Sequence, residues 1–361
     1  MSLDRCFQTR WGFLPASGFM AIAAGPAALV SSCLILLVLV APASAQSKFR
    51  GIPPEHRKYV LADGVTERDV TYYSDGTACF ARLFFPKDFS TEHKTPGVVV
   101  SQGWAGISET IVKYGNRFAE RGLVAMCIDY RGWGNSDGFV SMIDRVTTAD
   151  EQRITELPTK VRITRTRLLP MKQVDDIRSA ISYLQGEPGV DAKRIGLWGS
   201  SYAGGHVLAV AACDPRVRAI VSQVSGINGY NSPEGPLPMS EAEIADAVNR
   251  ARSGQGAEFK TGFSQPRYVD VETQRAAKEY RPLHLVKHIS DDVAVLFLLA
   301  GKEELINNDR AGKAAYEQIK GPKKLVVYPD IGHFDIYIEE NFERASNEAA
   351  DWFVKHLGLH P

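Results

Sequence analysis

The sequence predicts an α/β fold with a mostly parallel sheet covered by helices on both faces. Short apolar runs alternate with longer segments of helical periodicity between residues 98 and 357. The apolar run at 293–299 carries no charged side chain, as expected of a strand that is buried on both faces. Alternation of this kind requires crossover connections between strands, and such connections produce a parallel sheet.

The predicted elements follow one another along the chain. Residues 70–73 and 77–85 predict an antiparallel hairpin, because Ser74-Asp75-Gly76 between them is a turn sequence. Strands are then predicted at 98–100, 123–130, 194–198, 219–224, 293–299 and 325–328, and helices at 109–121, 173–185, 206–212, 310–319 and 341–357. The helix at 173–185 places four apolar side chains on one face: Val174, Ile177, Ile181 and Leu184.

Two inserts interrupt this alternation. Residues 139–171 are polar and basic, whereas residues 227–290 contain several prolines and a helix-like stretch at 240–251. Long inserts beside strand ends are usually functional in a compact domain. We expect the second insert, which lies between the sixth and seventh predicted strands, to form a lid. The alternative is a surface elaboration that does not contact the substrate.

Charge and composition restrict the class of protein. The 361 residues include 42 basic and 42 acidic side chains, which argues against nucleic acid or an anionic membrane surface as a partner. An apolar content of 44% is enough for a buried core. We predict a single domain over residues 46–361.

The first 45 residues have the pattern of a secretory signal peptide. Arg5 and Arg10 precede an uncharged stretch at 11–47, whose apolar segment at 33–40 is followed by Ala43-Ser44-Ala45. We therefore predict cleavage before Gln46 and a periplasmic or secreted protein without stable membrane insertion. The alternative is an uncleaved membrane anchor, because the uncharged stretch is long enough to span a bilayer.

Three cysteines remain after this leader: Cys79, Cys127 and Cys213. Their odd number, and the strand-like surroundings of the first two, favour isolated buried thiols over a disulfide framework. Histidine and cysteine are not clustered with the spacing of a metal site, so neither a metal nor an organic cofactor is expected.

Ser201 is the candidate nucleophile. The run at 194–198 leads through Gly199-Ser200-Ser201-Tyr202-Ala203 into the small-residue helical run at 206–212. A serine on a sharp turn between a strand and a helix projects its hydroxyl from the backbone, and the next amide points back toward it. The alternative is an ordinary turn of small residues.

His333 is the candidate general base among eight histidines. It follows the strand predicted at 325–328 and a turn in which Gly332 lets the backbone bend, so that the imidazole is directed inward. We interpret the other histidines as surface or core residues and place His206 in the helix behind Ser201.

These motifs resemble those of the α/β-hydrolase superfamily. Residues 199–203 resemble its G-x-S-x-G elbow with Ala203 at the last glycine, and residues 129–138 resemble the turn D-x-R-G-x-G-x-S-x-G after its fourth strand. The ending at 321–337 is similar to the dienelactone-hydrolase-like branch, which often has cysteine where this chain has Ser201. The resemblance spans residues 70–357 and implies the α/β-hydrolase fold, with a lid-like insert at 227–290.

The resemblance also implies the acid that orients His333. The superfamily turn has an acid, any residue and two apolar residues, and this spacing selects Glu303, because Leu305 and Ile306 follow. Glu304 fits one residue out of register. Since successive side chains at the end of a strand point to opposite faces, only one glutamate is expected to face His333, and the other is expected to be solvated.

Two backbone amides are expected to bind the oxyanion of the transition state. One is the amide of Tyr202, directly after the nucleophile. The loop at 101–106 resembles the H-G-x-x-G loop of the superfamily, with Gln102 where histidine is usual. By position in that loop, the second donor is the amide of Trp104.

The resemblance implies an exported serine hydrolase with a Ser201-His333-Glu303 triad and a small-molecule substrate. A carboxyl ester is expected, because it needs the least assistance to its leaving group. The alternatives are an acyltransferase or peptidase that uses the same triad, and a non-enzymatic binding protein on a hydrolase fold. The oligomeric state is left open.

Overall fold

The fold is built on one large sheet, seen in a computed structural model that describes residues 52–359 apart from 53, 105, 145–155, 166, 230–234, 236 and 261–267. The strands are β1 (Thr66–Ser74), β2 (Thr77–Phe85), β3 (Thr95–Ser101), β4 (Val124–Ile128), β5 (Phe139–Met142), β6 (Val161–Thr164), β7 (Val190–Ser200), β8 (Val217–Gln223), β9 (Glu258–Lys260), β10 (Tyr268–Asp270), β11 (Ala294–Ala300) and β12 (Lys323–Tyr328). The helices are α1 (Val112–Glu120), α2 (Pro170–Gly186), α3 (Tyr202–Ala211), α4 (Glu241–Ser253), α5 (Val271–Glu279), α6 (Gly312–Gln318) and α7 (Glu339–His356). All of the described residues belong to one compact unit, 48–361.

The central sheet has eight strands in the order β1-β2-β4-β3-β7-β8-β11-β12. β2 pairs antiparallel with both β1 and β4. Every pair from β4 through to β12 is parallel. The predicted α/β fold with a mostly parallel sheet is therefore confirmed, and the predicted hairpin forms its antiparallel edge.

Helices cover both faces of this sheet. α2 and α3 pack on one face, where the four apolar side chains predicted to share a face of α2 are all buried. α1 and α7 pack on the other, with Phe118 against Phe353. Because both faces are covered, every residue of β4 and β11 is buried, which explains the uncharged run that predicted β11.

The two inserts pack against each other. The first contains the hairpin of β5 and β6, and the second contains α4, β9, β10 and α5. The Arg167 guanidinium contacts the Asp270 carboxylate at 3.0 Å, and the Leu168 backbone N–H donates to the Thr273 hydroxyl at 2.9 Å. Asp270 also caps α5 by accepting the Thr273 N–H at 2.9 Å. One carboxylate thus links both inserts.

The three cysteines are all free thiols. Cys79 and Cys127 are buried, as predicted, but Cys213 is exposed because it lies after the last turn of α3. Within the described part of the chain, the helices lack the combination of length and hydrophobicity needed to cross a membrane. The predicted leader at 1–45 lies outside the described residues.

Candidate active site

Ser201 occupies a sharp turn between β7 and α3. Its backbone has φ 57° and ψ −121°, a conformation that costs a residue with a side chain on the order of 1–3 kcal/mol. Hydrogen bonds hold it there. The Ser201 N–H donates to the Gln223 carbonyl at 2.8 Å, and the Ser201 carbonyl accepts from the N–H groups of Gly226 at 2.9 Å and Gly204 at 3.0 Å. The hydroxyl therefore projects from a backbone that its neighbours fix.

Glycine is required beside this turn at two positions. A Cβ at Gly199 would lie 2.3 Å from the Ala203 carbonyl oxygen, and a Cβ at Gly103 would lie 2.6 Å from the Ser201 Cβ. Ala203, which stands at the last glycine of the motif, is fully buried in the first turn of α3. The turn accommodates this methyl group because the close backbone approach is made at Gly199.

Ser201, His333 and Glu303 come together at the carboxyl edge of the sheet, where they follow β7, β12 and β11. The His333 Nε2 lies 3.0 Å from the Ser201 Oγ. The His333 Nδ1 lies 2.9 Å from each carboxylate oxygen of Glu303. The side chains of His333 and Glu303 are only 1% and 2% exposed. The imidazole therefore bridges a partly exposed hydroxyl and a buried carboxylate.

Glu304 also contacts His333, but it does so at the backbone rather than at the ring, and it is exposed to solvent, as expected of the neighbouring glutamate. The Glu304 Oε2 accepts the His333 backbone N–H at 2.8 Å. Both glutamates lie beyond the end of β11 in a turn, so the alternation of side chains along a strand does not apply to them. Gly332 lies beside this contact. Its φ is not positive, and a Cβ there would lie 2.8 Å from the Glu304 Oε2.

The residue that carries one predicted oxyanion donor, Tyr202, follows Ser201 directly, and the loop that carries the other, Trp104, approaches Ser201 at Gly103. Tyr202 is the first residue of α3, so its N–H is among those that a helix leaves without an intrahelical partner. Gly103, directly before Trp104, passes so close that its Cβ would lie 3.1 Å from the Ser201 Oγ. The rings of Trp104 and Tyr202 meet edge to face with centroids 5.4 Å apart. The nucleophile thus lies between the loop after β3 and the start of α3.

Comparison with known proteins finds similar families and a similar fold. Residues 75–244 match the family model described as X-Pro dipeptidyl-peptidase (S15 family), and residues 176–338 match that described as BAAT / acyl-CoA thioester hydrolase C terminal. The solved α/β hydrolase GrgF from a Penicillium species has the same fold, with a TM-score of 0.63 and 19% identity over 81% of this chain and 100% of that chain. The two family matches and the shared fold support the α/β-hydrolase superfamily for this chain.

Its relatives in the superfamily include bacterial and fungal proteins. It is 26% identical to the quorum-quenching protein AidA of Acinetobacter baumannii, over 80% of this chain and 94% of that protein. It is 27% identical to the thiohydrolase aneE of Aspergillus aculeatus, over 74% of this chain and 86% of that protein. The predicted resemblance is therefore confirmed at the level of the superfamily.

Asp129 of this α/β hydrolase holds the loop after β3. Its carboxylate is buried and accepts the backbone N–H groups of Ser108 at 2.5 Å and Asn135 at 2.9 Å. A Cβ at Gly134 would lie 2.1 Å from this carboxylate, so the glycine is required for its approach. Burial raises the pKa of Asp129, although both N–H groups oppose the rise. The motif at 129–138 thus supports the loop that carries Trp104.

Gln102, at the usual histidine of that loop, is 2% exposed. Its side-chain oxygen lies 3.1 Å from the Thr110 hydroxyl, and a Cβ at Gly106 would lie 3.0 Å from its Cγ. The side chain therefore packs inside its own loop.

A polar network behind Ser201 was not predicted from the sequence. The hydroxyls of Ser200 and Tyr337 lie 2.6 Å apart, and the Gln223 side-chain amide donates to the Ser200 hydroxyl at 3.1 Å. The Lys113 ammonium donates to the Tyr337 carbonyl and lies 4.0 Å from the centroid of the Phe342 ring. Burial lowers the pKa of Lys113 to about 8. The segment after His333 is thereby tied to the strand that carries the nucleophile.

His206 lies in the core behind the elbow, as expected. It is fully buried, with its Nδ1 2.9 Å from the Tyr280 hydroxyl and its Nε2 2.9 Å from the Gln173 side-chain oxygen. Burial lowers its pKa to about 3. Across the described ranges, the side chains of His, Cys, Asp and Glu form no group that could hold a metal ion.

Proposed function

We propose that this chain is an exported serine hydrolase that cleaves carboxyl esters through an acyl-serine intermediate. One observation carries the proposal: the His333 imidazole lies 3.0 Å from the Ser201 hydroxyl and 2.9 Å from the Glu303 carboxylate. A hydroxyl, an imidazole and a carboxylate in this order form the triad of serine hydrolases.

The proposed reaction begins when the Ser201 Oγ attacks the acyl carbon while the His333 Nε2 takes the hydroxyl proton. The carbonyl oxygen becomes an oxyanion and accepts hydrogen bonds from the backbone N–H groups of Tyr202 and Trp104. Each donor contributes about 3 kcal/mol to transition-state stabilisation. Glu303 stays ionised and stabilises the imidazolium that forms.

The imidazolium then gives its proton to the departing alkoxide, which leaves as an alcohol, and the acyl group remains on Ser201. A water molecule attacks this acyl-serine, with His333 again taking the proton. The carboxylic acid leaves and the free serine hydroxyl is restored. Each step needs only Ser201, His333, Glu303 and the two amides.

Thioester hydrolysis is the second candidate function. It is supported by the match of residues 176–338 to the thioester-hydrolase description, a range that includes Ser201, Glu303 and His333, and by the relative described as a thiohydrolase. The same acyl-serine would form from either substrate. The two candidates are separated by kcat/KM for an oxygen ester and a thioester that share one acyl group, with a proline anilide as the peptidase control.

The two inserts are proposed to form a lid over this site. The first follows β4 and the second follows β8, so both leave the sheet at the carboxyl edge from which Ser201, Glu303 and His333 project. Their joint anchor at Asp270 supports movement as one unit. A lid that excludes water would favour transfer of the acyl group to an added alcohol or amine, so acceptor-dependent products would indicate an acyltransferase.

Turnover of short-chain p-nitrophenyl esters tests the proposed function. Ser201→Ala should abolish both turnover and labelling by a fluorophosphonate probe. Ser182→Ala, which removes an exposed hydroxyl on α2, is the matched control and should retain both. A parent protein that neither turns over an ester, thioester or anilide nor takes up the probe would instead be a binding protein on a hydrolase fold.

A further inference from the structure

Glu304 has no part in the reaction proposed above, yet it contacts the backbone of the general base. Its Oε2 accepts the His333 N–H at 2.8 Å. We propose that Glu304 is a positioning residue, which holds the His333 backbone so that the imidazole reaches Ser201 and Glu303 together. This inference rests on the proposed function, because it concerns the efficiency of the same triad.

Glu304 completes a series of contacts between two loops that are distant in sequence. The Gly301 N–H donates to the Tyr328 carbonyl at 2.7 Å, and the Lys302 N–H donates to the Ile331 carbonyl at 2.9 Å. Further along both loops, Glu304 contacts the N–H of His333. The loop after β11 therefore holds the loop after β12 along its length, and Glu304 makes the contact nearest the imidazole.

The histidine loop is shaped to receive this carboxylate. A Cβ at Gly332 would lie 2.8 Å from the Glu304 Oε2, so a side chain there would require the end of the Glu304 side chain to shift. The Gly332 N–H donates to the Asp335 carboxylate at 2.8 Å. Two consecutive N–H groups are thus each held by a carboxylate oxygen.

The two glutamates contact different parts of His333. Glu303 contacts the ring at Nδ1, and its own Oε1 accepts the Leu305 N–H at 3.0 Å, which keeps the carboxylate in place. Glu304 contacts only the backbone of His333. Because the ring must reach two partners at once, a backbone shift of about 1 Å can cost on the order of 100-fold in rate.

Three variants test this role. Glu304→Ala removes the acceptor, whereas Glu304→Gln keeps an oxygen that can accept the same N–H and removes the charge. Asp330→Asn is the matched control, because Asp330 is a largely exposed carboxylate in the histidine loop whose ion pair, with Lys302 at 3.7 Å, leaves His333 untouched. Kinetics with a p-nitrophenyl ester and thermal unfolding are measured for each variant beside Ser201→Ala.

We expect Glu304→Ala to lower kcat by about 10- to 100-fold with little change in KM, while Glu304→Gln and Asp330→Asn stay close to the parent. Full activity of a folded Glu304→Ala would overturn the inference. So would a Glu304→Gln variant as impaired as Glu304→Ala, since the acceptor would then be irrelevant. If Glu304→Ala does not fold, Glu304→Met, which fills similar space without a strong acceptor, replaces it with the same expected loss and the same overturning result. An active Ser201→Ala would overturn the proposed function itself.

Discussion

At the scale of single residues, the site depends on where two adjacent carboxylates are directed. Glu303 contacts the His333 ring and Glu304 contacts the His333 backbone. Only the first can orient the imidazole and stabilise its charge during proton transfer. The two residues have the same chemistry, so substituting each in turn separates the effect of direction from the effect of charge.

Glu303→Gln should lower kcat by roughly 10,000-fold, as in other triads whose acid becomes an amide. Glu304→Gln should cost little, because the amide oxygen still accepts the His333 N–H. Both variants are assayed with one ester under saturating conditions. A severe loss in Glu304→Gln with an active Glu303→Gln would assign the triad acid to the neighbouring residue.

His206 should make stability depend on pH. Burial lowers its pKa to about 3, against about 6.5 in an unfolded chain. Below pH 6.5 the unfolded state therefore binds a proton that the folded state does not, so this group destabilises the fold as the pH falls, and its effect is absent above that value. Between pH 6.5 and pH 5 the loss should be about 2 kcal/mol.

Urea unfolding of the parent and His206→Gln at pH 7 and pH 5 checks this effect. The variant should be less stable at pH 7, because glutamine fits the bonds to Tyr280 and Gln173 less well. It should also lose less stability on acidification than the parent. Equal losses in both proteins would show that His206 does not carry the pH dependence.

Local motifs were sufficient to predict Ser201, His333 and Glu303 as candidates, because each follows a recognisable strand. The contacts of Glu304 and Tyr337 were beyond prediction. They depend on the paths of loops that are far apart in the chain, and neither hydrophobic periodicity nor motif spacing records such paths. Which of Glu303 and Glu304 contacts the His333 ring depends on the path of the loop after β11, and the alternation of side chains along a strand does not predict that path.

At the scale of elements, Asp270 is one of the residues that join the two inserts. Asp270 caps α5 and contacts Arg167 of the first insert, and it is buried. Ser240 caps α4 in the second insert by accepting the Glu243 N–H at 3.3 Å, but it lies on the exposed surface. The two caps are chemically similar and differ in whether they link the inserts.

Asp270→Ala should lower the free energy of unfolding by about 1–2 kcal/mol through the lost cap. It should also raise KM for long-chain esters, because the proposed lid loses its anchor. Ser240→Ala is the control, with a similar loss of stability and an unchanged KM. Denaturant unfolding and an ester-length series give both quantities. An unchanged KM in Asp270→Ala would contradict the proposed lid.

Element boundaries were harder to predict than element types. β3 begins at Thr95 rather than at residue 98, because Pro96 and Gly97 have low strand propensity and mask its start. The helix predicted from residue 109 begins at Val112, after a short 3₁₀ turn over Ser108–Thr110. β5 and β6 were not predicted, since they lie in a polar insert and present apolar side chains to solvent.

At the scale of the whole molecule, the parallel sheet determines where the chemistry lies. The alternation of strands and helices predicted this sheet, but the strand order β1-β2-β4-β3 could not be read from periodicity. The carboxyl ends of parallel strands meet at one edge, so residues after β7, β11 and β12 converge there although they are far apart in sequence.

The proposed export is a property of the whole chain. We predict that the mature protein begins at Gln46. This prediction rests on Arg5 and Arg10, on the uncharged stretch at 11–47 and on Ala43-Ser44-Ala45. Expression of the full chain in a Gram-negative host, followed by N-terminal sequencing of the periplasmic and medium fractions, checks this. Recovery of the full-length chain only from detergent-extracted membranes would indicate an uncleaved anchor instead.

The central claim is that Ser201 is the nucleophile of a serine hydrolase. It is tested most directly by treating the folded protein with a fluorophosphonate, mapping the modified peptide by mass spectrometry and measuring ester turnover of Ser201→Ala in parallel. We predict a single label on Ser201 and a kcat at least ~1,000-fold lower in the variant. A label on Ser200, or a Ser201→Ala variant with the activity of the parent, would contradict the claim.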